Sequence, residues 1–235
     1  PNEHPDGIGV WGCGHGMLGG LREFNQNLFK ERNQTFKKNK SKQSNFKEPS
    51  ARQEYVEIIN LQNCLSVEEC QEVINLHKDL TPIDKDVQWS DDKTNVRKST
   101  IYWIPPKPNL VWLFQRISDT IEYSNDIFFG FDIFRKIRYL QLTKYHEGEQ
   151  YSWHQDMGSG KSKSRKLSFS IQLSNPDNYS GGELSFFNGS QNPNIISPSQ
   201  GKGTIFPSYT LHKVNPVISG ERWSLVVWIE GPFFK

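Results

Sequence analysis

Hydrophobic and polar residues follow two periods along the chain, one typical of helices and one typical of strands. Strand-like runs occupy residues 55–60 (YVEIIN) and 96–104 (VRKSTIYWI). Helical spacing follows a capping box at residues 66–69 (SVEE) and recurs over residues 109–124. The apolar side of the first helix is predicted to contain Val67, Cys70, Val73, Ile74 and Leu76.

From Ile137 onwards the pattern becomes a series of short strands separated by glycine turns. The glycines lie at positions 148, 158, 160, 181, 182, 201, 203 and 220. Two early helices followed by many short strands predict a mainly β fold, a sandwich or barrel braced by helices.

The first fifty residues differ in composition from the rest of the chain. They begin with a glycine-rich stretch and carry eight Lys and Arg against five Asp and Glu, whereas the other 185 residues carry twenty against twenty-one. The excess is concentrated in residues 30–47 (KERNQTFKKNKSKQSNFK). We therefore expect a basic, glycine-rich N-terminal arm over residues 1–50 and a folded domain over residues 51–235. The arm is interpreted either as a solvated tail or as a segment that binds an acidic partner in an assembly.

The overall composition excludes an intrinsically disordered chain. Hydrophobic residues make up 34% of the sequence and charged residues 23%, with a net charge of only +2. We expect neither a membrane span nor a signal peptide, since no apolar stretch has the required length. Three cysteines without metal-ligand spacing indicate free thiols in a cytoplasmic or otherwise reducing compartment.

The stretch YSWHQDMGSG (residues 151–160) suggests a metal site. In a strand, residues two apart point to the same side, so His154 and Asp156 would project together while Gln155 faces away. His212 lies 58 residues after His154, at the start of a strand predicted over residues 212–217, and is the candidate third ligand. Two histidines and a carboxylate form the facial triad of non-haem Fe(II) oxygenases, which leaves coordination positions open. A His-x-Asp pair also arises by chance, so the hypothesis depends on the third ligand and on a co-substrate anchor.

A candidate anchor follows the distal histidine. RWSLVVWIE (residues 222–230) alternates, so Arg222, Ser224, Val226 and Trp228 should share one face. A guanidinium fork beside a hydroxyl suits the distal carboxylate of a dicarboxylic acid. The alternative for Arg222 is a surface ion pair at the start of a strand. The aromatic residues expected around the site, as a shield or as core, are Trp153, Phe169 and Trp228.

Three blocks of sequence carry a resemblance to a known family. YHEGEQYSWHQD (residues 145–156) is similar to the pattern Tyr-x-x-Gly-x-x-Tyr-x-x-His-x-Asp, and residues 167–187 and 203–229 resemble the next two blocks. From about residue 55 to the end, the chain resembles the Fe(II)/2-oxoglutarate-dependent dioxygenases, most closely the PKHD-type (prolyl/lysyl hydroxylase-like) family. The resemblance implies a double-stranded β-helix (jelly-roll) core, Fe(II) as metal, 2-oxoglutarate and O₂ as co-substrates, and ascorbate as an accessory reductant.

The resemblance also implies roles for individual residues. His154, Asp156 and His212 would be the iron ligands and thereby the catalytic residues.

The implied co-substrate site contains four residues. Arg222 would bind the distal carboxylate of 2-oxoglutarate, with Ser224 fitting the Arg-x-Ser pairing of related oxygenases. Tyr145 matches the family tyrosine that hydrogen-bonds the co-substrate. The chain departs from the pattern at Gln172, where prolyl hydroxylases often have a tyrosine, and an amide donor is expected there instead.

The implied reaction is hydroxylation of a C–H bond, first of a peptidyl proline or lysine, so a protein or peptide is the expected partner. KSKSRK (residues 161–166) predicts either a mobile lid that steers an acidic or phosphorylated substrate or a solvated hairpin tip. Two further functions stay open. One is oxidative demethylation of nucleic acid, which the basic segments favour and the single arginine after His212 disfavours. The other is an assembly-attached structural or binding module that retains the fold.

Overall fold

The computed structural model describes residues 58–88, 95–187, 189 and 192–234, and the backbone of residues 2–3 and 9–10. The chain divides into two units, Pro1–Glu54 and Tyr55–Lys235. In the first unit, strand β1 (Asn2–Glu3) pairs antiparallel with β2 (Gly9–Val10). The rest of the predicted arm, its basic run and the start of the strand predicted at 55–60 lie outside the described residues. The domain boundary at residue 50 therefore stays a prediction.

Helix α1 (Val67–Asn75) begins at the predicted capping box. The Ser66 hydroxyl accepts the N–H of Glu69, and the Glu69 carboxylate accepts the N–H of Ser66. Val67 is 59% exposed at the first helical position, so its predicted place on the apolar side is wrong. The helix buries Cys70, Val73 and Ile74 and continues into a 3₁₀ turn, Leu76–Asp79.

Helix α2 (Val111–Ser124) follows a 3₁₀ turn at Pro108–Leu110, so it begins two residues later than predicted. Its buried stripe consists of Leu113, Ile117 and Ile121 at helical spacing. A π-helical turn, Asn125–Phe129, ends at Gly130, which adopts φ +66°. No helix in the described part of the chain is long and apolar enough to span a membrane.

Short strands make up most of the second unit. Two further 3₁₀ turns, Gly160–Ser164 and Pro176–Asn178, lie between them. The strands are β3 (Ile59–Leu61), β4 (Ile83–Gln88), β5 (Asn95–Ile104), β6 (Leu140–Tyr145), β7 (Gln150–His154), β8 (Arg165–Gln172), β9 (Tyr179–Gly181), β10 (Leu184–Phe186), β11 (Asn194–Ile195), β12 (Gly203–Pro207), β13 (His212–Val214), β14 (Val217–Gly220) and β15 (Arg222–Glu230).

Eleven of these strands join in one antiparallel sheet in the order β11-β10-β13-β7-β5-β6-β15-β8-β12-β3, with β4 paired to β5. The sheet curls at β5, whose C-terminal half pairs with β6 and whose N-terminal half pairs with β7. Strands β9 and β14 form a separate pair. This curled antiparallel sheet braced by two helices is the jelly roll that the family resemblance implied.

The larger hydrophobic core, called the helix-side core below, lies between the helices and one face of the sheet. Alternation along β15 sends Trp223, Leu225 and Val227 into this core. Arg222 and Ser224, which flank Trp223 on the strand, are also buried, but they point to the opposite face of the sheet. A smaller cluster lies on that opposite face and comprises Tyr145, Leu184, Phe186, Phe206, Val214 and Val217. The buried polar residues Gln141, Thr143 and Ser224 therefore face the interior of the jelly roll, away from the helices.

Candidate active site

Two neighbouring strand ends bring the predicted triad together. His154 ends β7 and lies directly opposite His212, the first residue of β13. Asp156 follows the end of β7, and its Oδ1 lies 3.8 Å from His154 Nε2 while its Oδ2 lies 3.6 Å from His212 Nε2. One ligand atom from each residue lies within 4.8 Å of the others. Gln155 turns the other way, as predicted, and its amide donates to the Tyr209 carbonyl.

Backbone carbonyls fix the tautomer of both imidazoles. His154 Nδ1 lies 2.7 Å from Ser152 O, and His212 Nδ1 lies 2.8 Å from Thr210 O. A carbonyl oxygen can only accept, so each Nδ1 carries a hydrogen and Nε2 is the nitrogen left to face the site. Burial, reinforced by the neighbouring His212, lowers the pKa of His154 to about 3. The ring is therefore neutral near pH 7, as a metal ligand must be.

A chain of buried hydroxyls orients the carboxylate. Ser168 Oγ donates to Asp156 Oδ2 at 2.7 Å and lies 2.9 Å from Ser208 Oγ, and both serines are fully buried. Burial by itself would raise the pKa of Asp156, but the two histidines and the Ser168 hydroxyl outweigh burial and lower it. Asp156 is therefore ionised, with Oδ1 outside this hydroxyl chain.

These three side chains fit a divalent transition metal. Two neutral imidazole nitrogens and one ionised carboxylate are the donor set of non-haem Fe(II) sites. The triad lies on the wall of a cavity of about 250 Å³, so that further ligands can reach the metal on that side.

Arg222 lines the same cavity. It is only 3% exposed, so the surface ion pair considered from the sequence is wrong. Its Cα lies opposite that of Tyr145 in the β15–β6 ladder, and its guanidinium carbon is 5.7 Å from the tyrosine ring. Arg222 Nη1 also lies 3.4 Å from Ser224 Oγ. A side chain at Gly182 would collide with this arginine, because an added Cβ would lie 2.8 Å from Arg222 Cδ.

Gln172 is not brought into this cavity. Gln172 instead lines an adjacent cavity of about 20 Å³, which Arg222 also lines. Its amide donates to Ser174 O at 3.1 Å and to the Tyr179 hydroxyl at 3.0 Å. Burial raises the pKa of Tyr179, and Arg222 opposes that rise. Besides the hydroxyl of Ser224, Arg222 therefore has the hydroxyl of Tyr179 beside it, and no role was predicted for Tyr179 from the sequence.

Two other cavity residues had no assigned role. The Tyr151 ring stacks on His154, with ring centroids 3.4 Å apart, and the Arg97 guanidinium lies 4.6 Å from the same tyrosine ring. Tyr151 belongs to the sequence pattern that carries the resemblance, so the pattern itself could have identified it. Ser168 lies on β8, where every second residue from 166 to 172 is polar, which is typical of a strand with a polar interior face. The strand of Arg97 has no such alternation, because Ile101 and Trp103 follow on the same face.

The predicted surroundings of the site are partly correct. Trp228 lines the cavity, whereas Phe169 belongs to the helix-side core. Trp153 is 37% exposed and packs edge-on against Phe187. Neither Trp153 nor Phe169 shields the site.

The segment at 161–166 is neither one mobile lid nor one solvated tip. Lys161 and Lys163 are exposed on a 3₁₀ turn, but Lys166 is buried on β8 with its Nζ 3.2 Å from the centre of the Phe234 ring. Arg165 turns into the cavity, donates to the Asp156 carbonyl at 3.0 Å and stacks on Trp228.

Comparison with known proteins agrees with this geometry. Residues 140–230 match the model of the 2OG-Fe(II) oxygenase superfamily. The curated proteins that the chain resembles include PKHD-type hydroxylases. One from Synechococcus sp. (strain CC9605) is 33% identical over 140 residues, which cover 60% of this chain and 62% of the relative. Another, from Hyphomonas neptunium, is 42% identical over 88 residues, which cover 36% of this chain and 39% of the relative. The chain thus spans less than two thirds of the length of these relatives.

Solved structures show the same fold. A Pseudomonas putida prolyl-4-hydroxylase superposes with a TM-score of 0.56 at 19% identity, covering 74% of this chain and 92% of that protein. The viral collagen prolyl hydroxylase of Paramecium bursaria Chlorella virus-1, in complex with 2OG, superposes with a TM-score of 0.57 at 24% identity, covering 78% and 99%.

Proposed function

We propose that this chain is an Fe(II)- and 2-oxoglutarate-dependent oxygenase that hydroxylates a C–H bond in a peptidyl proline or lysine. One observation carries the proposal: a triad of two imidazoles and an ionised carboxylate shares a cavity with the buried Arg222. The match of residues 140–230 to the 2OG-Fe(II) oxygenase superfamily supports the reaction class. The names of the relatives and structural neighbours support the peptidyl substrate.

The chain's own residues perform defined tasks in this reaction. His154 and His212 each offer Nε2, and Asp156 offers a carboxylate whose orientation Ser168 fixes. When bound, Fe(II) supplies the activation of O₂ that is coupled to decarboxylation of 2-oxoglutarate. The protein supplies the coordination geometry and excludes water from the reacting centre.

Arg222 would bind the distal carboxylate of 2-oxoglutarate. A buried guanidinium without a carboxylate partner among the described residues is poised for a charge-assisted, bidentate hydrogen bond to an anion. Tyr145 and Tyr179 lie beside it and are assigned as hydroxyl donors at the same end of the co-substrate. Fixing one end of the molecule in this way orients its reactive end towards the metal.

The direct test is substrate-dependent release of succinate. The purified chain, supplied with Fe(II), 2-oxoglutarate, O₂ and ascorbate, is incubated with pooled peptides centred on proline or lysine. The expected result is succinate release with a matching gain of one oxygen in the peptide, and loss of both in His212→Ala. Succinate release with methylated oligonucleotides alone would identify a nucleic-acid demethylase. No release with any substrate, despite bound Fe(II), would favour a binding module.

We also propose that residues 1–50 form an arm that attaches the enzyme to an acidic partner and takes no part in oxygenation. The proposal rests on the clustered positive charge of residues 30–47. Replacing the lysines of this run with glutamine should leave succinate release unchanged and weaken any salt-sensitive association. Loss of succinate release in this variant would show that the arm contributes to the active site.

A further inference from the structure

The triad cavity has a strong excess of positive charge. Four basic side chains line it, and Asp156 is the one carboxylate among its described lining residues; the basic residues are Lys85, Arg97, Arg165 and Arg222. If the proposed function holds, the charges of the bound metal, Asp156, Arg222 and a doubly charged 2-oxoglutarate sum to about zero, since an imidazole coordinates a metal in its neutral form. The other three cations are then balanced by nothing that the reaction itself requires.

Arg165 is already engaged with protein groups. Its Nη1 donates to the Asp156 carbonyl at 3.0 Å, and its guanidinium carbon lies 3.9 Å from the centre of the Trp228 ring. This arginine is held against the metal ligand. With Arg222 assigned to 2-oxoglutarate and Arg165 to protein groups, Lys85 and Arg97 are the lining cations that have no assigned role.

Lys85 and Arg97 lie together on the β4–β5 ribbon. Lys85 is directly opposite Ser99 in the ladder, and Arg97 Nε donates to Ser99 Oγ at 2.9 Å. Directly opposed residues, and residues two apart, share one face of an antiparallel pair, so both cations point into the cavity. Lys98, between Arg97 and Ser99, is exposed and is absent from the cavity wall.

The side chains of Lys85 and Arg97 are half-buried, so solvent screens their charges less than it screens those of exposed cations. The Arg97 guanidinium lies over the Tyr151 ring, which itself stacks on His154, so a group bound there is close to the proposed reaction centre. Neither cation forms an ion pair with a carboxylate in the described ranges of the chain. A partly desolvated cation of this kind gains most from an anion that enters with the substrate.

We propose that Lys85 and Arg97 select a substrate peptide with an acidic side chain close to the residue that is hydroxylated. This inference rests on the proposed function and names the substrate class of the same site. A peptide is favoured over nucleic acid, because two cations on one face of a ribbon suit a single carboxylate. A nucleic-acid strand requires a longer track of phosphate contacts.

The test compares two peptide pools that are identical except at the positions flanking a central proline or lysine. One pool has glutamate at those positions and the other has glutamine. Binding of each fluorescently labelled pool to the full chain is measured by anisotropy without iron or O₂, and succinate release is measured separately with both.

The expected result is tighter binding of the glutamate pool, with a preference that disappears at high salt. Lys85→Gln should reduce the preference about threefold and Arg97→Gln about tenfold, while the matched control Lys98→Gln leaves it unchanged. Lys85→Glu, a substitution on a partly exposed strand, should shift the preference towards a third pool with lysine at the flanking positions.

Equal binding of both pools would overturn the inference, and so would an unchanged preference in the Lys85 and Arg97 variants. A third contrary outcome is that a single-stranded oligonucleotide displaces the labelled glutamate pool at a lower concentration than the unlabelled glutamate pool does. Equal binding accompanied by succinate release from both pools would remove the acidic specificity while leaving the proposed oxygenase function intact. Absence of succinate release with every pool would count against the oxygenase function instead.

Discussion

The two faces of the sheet that packs on the helices have the same strands but opposite chemistry. On β8, Phe169 is buried in the helix-side core, whereas Ser168 and Ser170 on either side of it face the interior of the jelly roll. On β15, Leu225 and Ser224 show the same division. The apolar face fixes the register of each strand, since a slip of one residue would expose the whole core. The polar face inherits that register, which sets where the metal ligands and Arg222 lie.

The largest effect is expected from a substitution on the apolar face. Phe169→Ala should reduce the free energy of unfolding by about 3–5 kcal/mol, because it leaves a cavity in a closely packed core. The neighbouring Ser170→Ala, on the other face, should change stability by less than about 1 kcal/mol. Urea denaturation of both variants measures the contrast. Equal losses would show that the two faces do not divide stability and function in this way.

Substitution of Arg222 should weaken binding of the co-substrate and leave binding of the metal unchanged. Arg222→Ala is expected to weaken 2-oxoglutarate binding by about 2–5 kcal/mol, because a desolvated carboxylate would lose its charged partner. Fe(II) affinity should stay near that of the wild type. Calorimetric titration with 2-oxoglutarate checks the first expectation and equilibrium dialysis with Fe(II) checks the second. An unchanged affinity for 2-oxoglutarate would assign the anchor to another residue.

The hydroxyl chain behind Asp156 should have a smaller effect. Ser168→Ala removes the hydrogen bond that holds Oδ2, and it is expected to weaken Fe(II) binding about 10- to 100-fold. Ser208→Ala, one hydrogen bond further from the carboxylate, should weaken Fe(II) binding less, and Ser170→Ala should leave Fe(II) binding unchanged. Metal competition titrations rank the three variants. A Ser168→Ala protein with wild-type metal affinity would contradict the positioning role.

The smallest effect at neutral pH concerns the buried thiols of the helix-side core. Burial raises the pKa of Cys64 and of Cys70 from 9.0 to about 12. Both thiols are therefore expected to resist alkylation at pH 8 until the protein is unfolded. Because the folded pKa exceeds the unfolded value, their contribution to stability is complete below pH 9 and is lost as the pH rises towards 12. Rapid alkylation of the native protein would contradict this burial.

The sequence identified much of the fold and most of the proposed site, because both depend on local pattern. The capping box at Ser66 and the pairing of His154 with Asp156 are short-range features, and the structure has both. Gln172 was predicted to be an amide donor to the co-substrate, but its amide donates to the Tyr179 hydroxyl. The sequence pattern does not reveal this contact, because it depends on how β8 meets β9. Residues 161–166 were predicted to form either a lid or a solvated hairpin tip, because nothing local shows that a basic run divides between a surface turn and a buried strand.

The central claim is that His154, Asp156 and His212 hold Fe(II), and the most direct measurement is the iron bound by the full chain and by its three alanine variants. Under anaerobic equilibrium dialysis, the wild type should bind about one Fe(II) per chain. Each alanine variant should bind far more weakly while retaining the circular dichroism spectrum of the wild type, because the ligands lie outside the helix-side core. Wild-type iron affinity in all three correctly folded variants would contradict the account.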